Sequence, residues 1–148
     1  MSLEGTRHKL KEADFFLQQC KLTLDQPEIL GYYLSAFISA ARSVTFVLQV
    51  EIGKNHEFKA WYSEKQEYMK KDRIFSFFNS LRVETIHREG KIKLRRKISL
   101  EIIEADVKQP DRQIEMYFDG YENKDGIVLC RMYLDNLGKI VTMAEKWA

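Results

Sequence analysis

The sequence predicts a mainly α protein, an antiparallel bundle of about five helices with a β-hairpin inserted before the last one. Three observations predict it. Apolar residues recur at steps of three and four through most of the chain. The stretch from Ile29 to Val50 is apolar or small nearly throughout, with Arg42 as its one charge. Beyond Gly90 the apolar period drops to two before the helical period returns at Ile127.

In chain order, Leu10, Ala13, Leu17, Cys20 and Leu24 draw one stripe along a first helix over about Thr6 to Leu24. The opening Met-Ser-Leu-Glu-Gly has no apolar run and carries no fold signal of its own. Asp25-Gln26-Pro27-Glu28 reads as a turn and a helix start. Asp25 is placed to accept from free amides, Pro27 suits the first helical position, and Glu28 stands where a capping box wants it. The central helix, Ile29 to Val50, shows apolar side chains on every face, so it is expected to be surrounded by partners on most sides and to pair antiparallel with the first. Gly53-Lys54-Asn55 breaks it. Asn55 is a candidate cap for a third helix marked by Phe58, Trp61, Tyr62 and Met69. Asp72 is a candidate cap for a fourth, with Ile74, Phe78, Leu81 and Thr85 on one side and an end near Arg88-Glu89-Gly90.

Ile92, Leu94, Ile98, Leu100 and Ile102 then alternate with charged and polar residues, and only Arg96 breaks the apolar series. After the turn Lys108-Gln109-Pro110-Asp111, Ile114, Met116 and Phe118 alternate in a second strand. The pair is an antiparallel hairpin whose apolar face needs the helices for support. Asp125 is a candidate cap for the final helix, along which Ile127, Cys130, Leu134, Leu137, Val141 and Ala144 step by three and four. Gly138 invites a close helix contact there.

At 148 residues, 45% hydrophobic and 31% charged, the chain reads as one domain, residues 1–148, with the hairpin as an insertion at about 91–119. A formal charge of +2 does not announce a nucleic-acid partner, so any basic surface must come from local clustering. Cys20 and Cys130 fall in apolar helical contexts and read as reduced core thiols. With no signal peptide visible, a cytoplasmic location is expected. No membrane span is expected either. An arginine near the middle of the central helix costs about 2.5–3.5 kcal/mol on insertion scales, and serines, a threonine and a glutamine accompany it. No glycine-rich phosphate loop, metal-spaced Cys/His set or serine elbow appears, and no cofactor is expected.

Of the three histidines, His8 and His56 sit in polar surroundings. His87 follows Arg82 by five positions near the end of an aromatic-rich helix. A guanidinium can fork onto a phosphate and an imidazole can move a proton, a pairing suited to metal-free RNA cleavage. Five helical positions separate side chains by about 140°, so the two would meet on one phosphate only at a cleft, a frayed end or a dimer interface. The row Lys91, Lys93, Arg95 and Lys97 shares a strand face and is a candidate nucleic-acid contact. As a solvated outer face it would serve equally to discourage edge pairing. Trp61, Tyr62, Phe75, Phe77 and Phe78 at helical spacing read as core before they read as stacking platforms. Arg42, within so apolar a helix, needs a carboxylate such as Glu84 or Asp72, or a cleft.

An arginine, four residues and a histidine at the end of a helix that follows a long central helix, in a small bundle, resembles the HEPN superfamily. The resemblance covers roughly Thr6 to Gly90 and the last helix. It implies a homodimer binding or cleaving RNA, with Arg82 and His87 as the catalytic pair. Val83 departs from the family's pattern, in which the residue after the arginine is commonly polar. The other reading is a non-catalytic interaction or structural module, an inactive relative or an antitoxin-like partner of another protein, in which Arg82 and His87 are helix-end residues.

Overall fold

The computed structural model describes residues 2–84, 92–100 and 112–148, with the side chains at 84, 96, 98–100 and 112–113 outside that description. It is a mainly α fold with five helices and one two-stranded antiparallel hairpin before the last of them. The order is α1 (Glu4–Leu22), α2 (Pro27–Ile52), α3 (His56–Lys71), α4 (Arg73–Glu84), β1 (Leu94–Leu100), β2 (Arg112–Phe118) and α5 (Gly126–Ala144), closed by a 3-10 turn, Glu145–Trp147. Thr85, His87, the Arg88-Glu89-Gly90 stop, Lys91, Ile102 and the Lys108–Asp111 turn lie outside the described residues.

Short-range chemistry starts the later helices. The Asn55 side chain accepts from the Phe58 amide at 3.0 Å, Asp72 from Ile74 and Phe75 at 3.0 Å, and Asp125 from Ile127 at 2.8 Å and Val128 at 3.2 Å. Each satisfies amides that have no carbonyl partner within the helix. Asp125→Ala is therefore expected to cost about 1 kcal/mol in urea denaturation, with the m-value unchanged.

The start of α2 departs from expectation. Pro27 does occupy its first turn, but no side chain caps the helix, and Glu28 accepts from the Tyr32 hydroxyl at 2.8 Å instead. The start of α1 departs further. Leu3 is buried, the Gly5 amide donates to Glu51 Oε2 at 3.1 Å, and the Thr6 amide donates to Glu51 Oε1 at 2.7 Å, joined by the Thr6 hydroxyl. A carboxylate from the far end of α2 thus caps α1. The close approach depends on Gly5, where a Cβ would stand 3.0 Å from Val47. The opening residues therefore do carry fold information.

With Gly5 against Val47 and Phe16 beside Tyr33, α1 and α2 run antiparallel. Ala13, Leu17 and Cys20 meet Leu34, Phe37, Ala41, Val44 and Leu48 in the core, and α5 adds Leu129, Cys130, Leu137 and Val141. Burial pushes both thiols up, Cys20 to about 12, so neither is a ready nucleophile. Arg131 of α5 reaches Asp14 of α1 at 2.7 Å, and Arg7 of α1 pairs with Glu145.

The hairpin register sets Leu94 opposite Phe118, Arg96 opposite Met116 and Ile98 opposite Ile114. Met116 and Phe118 are fully buried, so this face lies on the helices as the alternation requires. Phe118 meets Phe77 and Phe78 of α4 at 5.6 and 5.9 Å between ring centroids, and Phe78 stacks on Tyr133 of α5 at 4.4 Å. The close backbone contact of α5 is at Gly126, where a Cβ would come within 2.6 Å of Met116. Gly138 faces open space instead.

One expectation about α2 fails in an informative way. It is not enclosed on most sides, because Tyr32, Phe46 and Val50 are 64, 60 and 81% exposed and Ile29 is 39% exposed. Large apolar residues remain exposed at both ends of its outer face, with small ones between them.

Candidate functional site

A cavity of about 280 Å³ opens between α2, α3, α4 and α5. Arg42 and Thr45 of α2, Tyr62 of α3, Phe75 of α4 and Tyr133 of α5 line its inner part. Gln66, Lys70, Ser76 and Asn79, all exposed, stand at its mouth. Because α2 contributes its arginine to this wall, the charge that looked anomalous in an apolar helix emerges into a cleft.

Arg42 Nη1 donates to Thr45 Oγ1 at 3.4 Å and its guanidinium lies 5.7 Å from the Phe46 ring centroid. Its Nε is buried with no acceptor. Asp72 is not its partner, since that carboxylate is occupied as the cap of α4, and the Glu84 side chain lies outside the described residues. Gln49 Nε2 donates to the Tyr62 hydroxyl at 3.2 Å and to the Thr45 carbonyl at 3.1 Å. Arg82 of α4 also buries an Nε without an acceptor. Burial pushes the Tyr133 phenol up to about 12, and the charges of Arg42 and Arg82 both oppose that rise, so the two guanidiniums act on one tyrosine. Desolvation likewise raises Tyr62, against the pull of Thr45 and Arg42.

The arrangement therefore combines the Arg42 and Lys70 cations with neutral donors, and no carboxylate lines it among the described residues. It can hold an anion, but among the described residues it offers no base poised near neutrality, because both phenols are pushed away from that range. His8 and His56 are exposed, with His8 Nε2 3.9 Å from Glu12. No cluster of three metal-ligating side chains occurs among the described residues. Of the sequence-predicted residues, Arg42 lines the cavity and Arg82 does not, while His87 lies outside the described residues. Gln49, Tyr62 and Tyr133 are polar lining residues that the sequence does not mark, since tyrosines at core spacing carry no signal for where their hydroxyls point.

The aromatic residues are structural. Tyr62, Phe75 and Phe78 are buried, with Trp61 and Phe77 packed against the core. On the hairpin, Arg95 Nε pairs with Asp119 at 3.2 Å. Lys97 stands opposite Glu115, which accepts from the Tyr117 hydroxyl. Lys93, Arg95 and Lys97 are exposed, so this strand face carries mixed charge; Lys91 lies outside the described residues.

The second feature is the outer face of α2. Ile29, Tyr32, Ala36, Ser39, Ser43, Phe46 and Val50 follow one another at alternating steps of three and four, a heptad stripe without a charge. Large residues occupy both ends and small ones the middle. On α1, Phe15 and Leu22 are 55 and 71% exposed, one heptad apart.

No solved structure matches the chain. Protein ea47 of Escherichia phage lambda is 24% identical over 112 residues, which cover 75% of this chain and 27% of that protein. The chain thus spans about a quarter of the length of the curated relative it matches. Residues 2–123 match the family model described as bacteriophage lambda protein ea47. These similarities overturn the HEPN resemblance, which rested on a short arginine-histidine spacing. The ribonuclease role it implied for Arg82 and His87 is not carried further. With the matched stretch running from α1 through the hairpin, the chain belongs to the family of bacteriophage lambda protein ea47.

Proposed function

We propose that this member of the ea47 family is a non-catalytic interaction module that works as a pair of identical copies, joined through the outer face of α2 with α1 beside it. The observation that carries the reading is the uncharged stripe from Ile29 to Val50. Its order, two large residues, three small and two large, reads nearly the same in both directions. A two-fold axis beside Ser39 therefore sets Ile29 and Tyr32 near Val50 and Phe46 of the second copy, while Ala36, Ser39 and Ser43 let the backbones approach closely. Self-complementarity of this kind is what an isologous contact requires.

The area is sufficient. The 26 residues of α2 extend about 39 Å. With α1 at an axis spacing of about 8–10 Å, the face is roughly 20 Å wide. With the 19 residues of α1 extending only about 28 Å, that makes roughly 700 Å² per copy, within the range one partner contributes to a standard-size interface.

Sedimentation velocity tests the pairing. Wild type is expected to be dimeric at about 50 μM, and the double variant Phe46→Glu, Val50→Glu monomeric at the same concentration with an unchanged far-UV spectrum. Both positions are exposed, so the variant has no reason to unfold. A monomeric wild type, or a dimer that the double variant leaves intact, would sink the proposal. So would a monomer that floats with phospholipid vesicles, which would assign the face to a lipid surface.

A further inference from the structure

We infer that the cavity between α2, α3, α4 and α5 is a binding site for a small oxyanion, a phosphomonoester or carboxylate, carried on a compact apolar ring. The site is distinct from the pairing face proposed above, because no stripe residue lines the cavity, although Arg42 also lies 5.7 Å from the Phe46 ring.

Three observations converge on that chemistry. Arg42 lines the cavity with its Nε buried and no acceptor among the described residues; Arg82 lies outside the lining, though it buries an Nε likewise and its charge reaches the same Tyr133. A half-buried guanidinium whose Nε lacks an acceptor among the described residues is costly, and an entering oxyanion would supply one in the bidentate geometry that arginine favours. The remaining polar lining can donate as well. The amides of Gln66 and Asn79 and the hydroxyls of Ser76 and Tyr133 present donors, with no carboxylate in the lining among the described residues. At the mouth, Lys70 Nζ holds Glu67 at 3.2 Å in an exposed pair, a contact weak enough to yield to a better anion.

Size and the apolar part of the lining set the rest of the ligand. A volume of about 280 Å³ is at the small end of ligand sites and suits a single ring rather than a nucleotide. Met69, Phe75 and Leu137 give that ring an apolar wall. Arg42 is then the anion anchor.

The test uses phenyl phosphate, benzoate and inorganic phosphate as probes, with benzyl alcohol as the neutral control. Thermal unfolding and the NMR signals of arginine Nε–H groups are followed together on the full chain. Phenyl phosphate or benzoate is expected to raise the Tm of wild type saturably and to move the Nε–H signal that Arg42→Met removes; benzyl alcohol should do neither. Arg42→Met keeps the stem length and removes a poorly paired charge, so it should fold and bind the effective probe at least about tenfold more weakly. No response to either organic anion up to about 10 mM would overturn the site, as would equal binding by Arg42→Met. Inorganic phosphate binding as tightly as phenyl phosphate would overturn the apolar part of the ligand. A silent wild type beside a responsive Glu84→Gln would show that the chain's own carboxylate fills the place, which also overturns it.

Discussion

Replacing Phe78 by alanine is expected to destabilise the protein by about 3–5 kcal/mol, the largest single effect we foresee, read as a lowered urea midpoint. Phe78 is 1% exposed, and its ring does three jobs. It stacks on Tyr133 at 4.4 Å with the planes 5° apart, meets Phe118 of the hairpin at 5.9 Å, and meets Phe77 within its own helix. Truncation leaves a hole where α4, α5 and β2 converge, and no neighbouring helix can collapse into it without pulling the sheet off the bundle. Phe78→Leu retains most of the volume and loses the stacking, so its cost should fall well below that of alanine.

Glu51→Gln is expected to cost about 1–3 kcal/mol at neutral pH and to remove part of the acid sensitivity of folding. Burial pushes the Glu51 carboxyl up, but the Thr6 hydroxyl and the Thr6 and Gly5 amides outweigh it and hold the group below the ordinary carboxylate range. The sign follows from that direction. Glu51 gives up protons more readily in the folded chain than in the unfolded one. Its contribution is therefore complete above the unfolded carboxylate value of about 4.3 and is lost as pH falls through the lower folded value. Glutamine cannot titrate and carries no charge for the α1 amide dipoles, so stability measured from pH 7 down to pH 2 should fall less steeply in the variant.

These two sites differ in how far the sequence announces them. The caps at Asn55, Asp72 and Asp125 were readable because each acts on amides two or three positions away. The hairpin was readable because alternation is a local pattern, and Phe78 because it falls on an apolar stripe. Glu51 was not readable, since its targets lie 45 and 46 positions earlier and only the antiparallel pairing of α1 and α2 brings them together. Arg42 announced an anomaly without its resolution. Whether a lone charge meets a carboxylate or a cleft is decided by side chains from three other helices. The all-round apolarity of α2 was read as enclosure within one chain. Tyr32, Phe46 and Val50 show that the same signal arises when a helix serves a core on one side and leaves an apolar surface on the other. The HEPN resemblance fails for a different reason: an arginine and a histidine five positions apart are too common a spacing to specify a family.

The last turn of the chain has a practical consequence. The protein contains two tryptophans, and they stand together: Trp147 lies 4.9 Å from Trp61 and 5.9 Å from Phe58, with its indole N–H donating to Glu57 at 3.3 Å. All intrinsic tryptophan emission therefore originates at one corner, where the carboxyl end docks on the start of α3. That emission is a spectroscopic label for the docking of the terminus, while far-UV ellipticity reports the bundle. A gap between the two melting curves would measure fraying of this corner, not a populated folding intermediate of the whole protein.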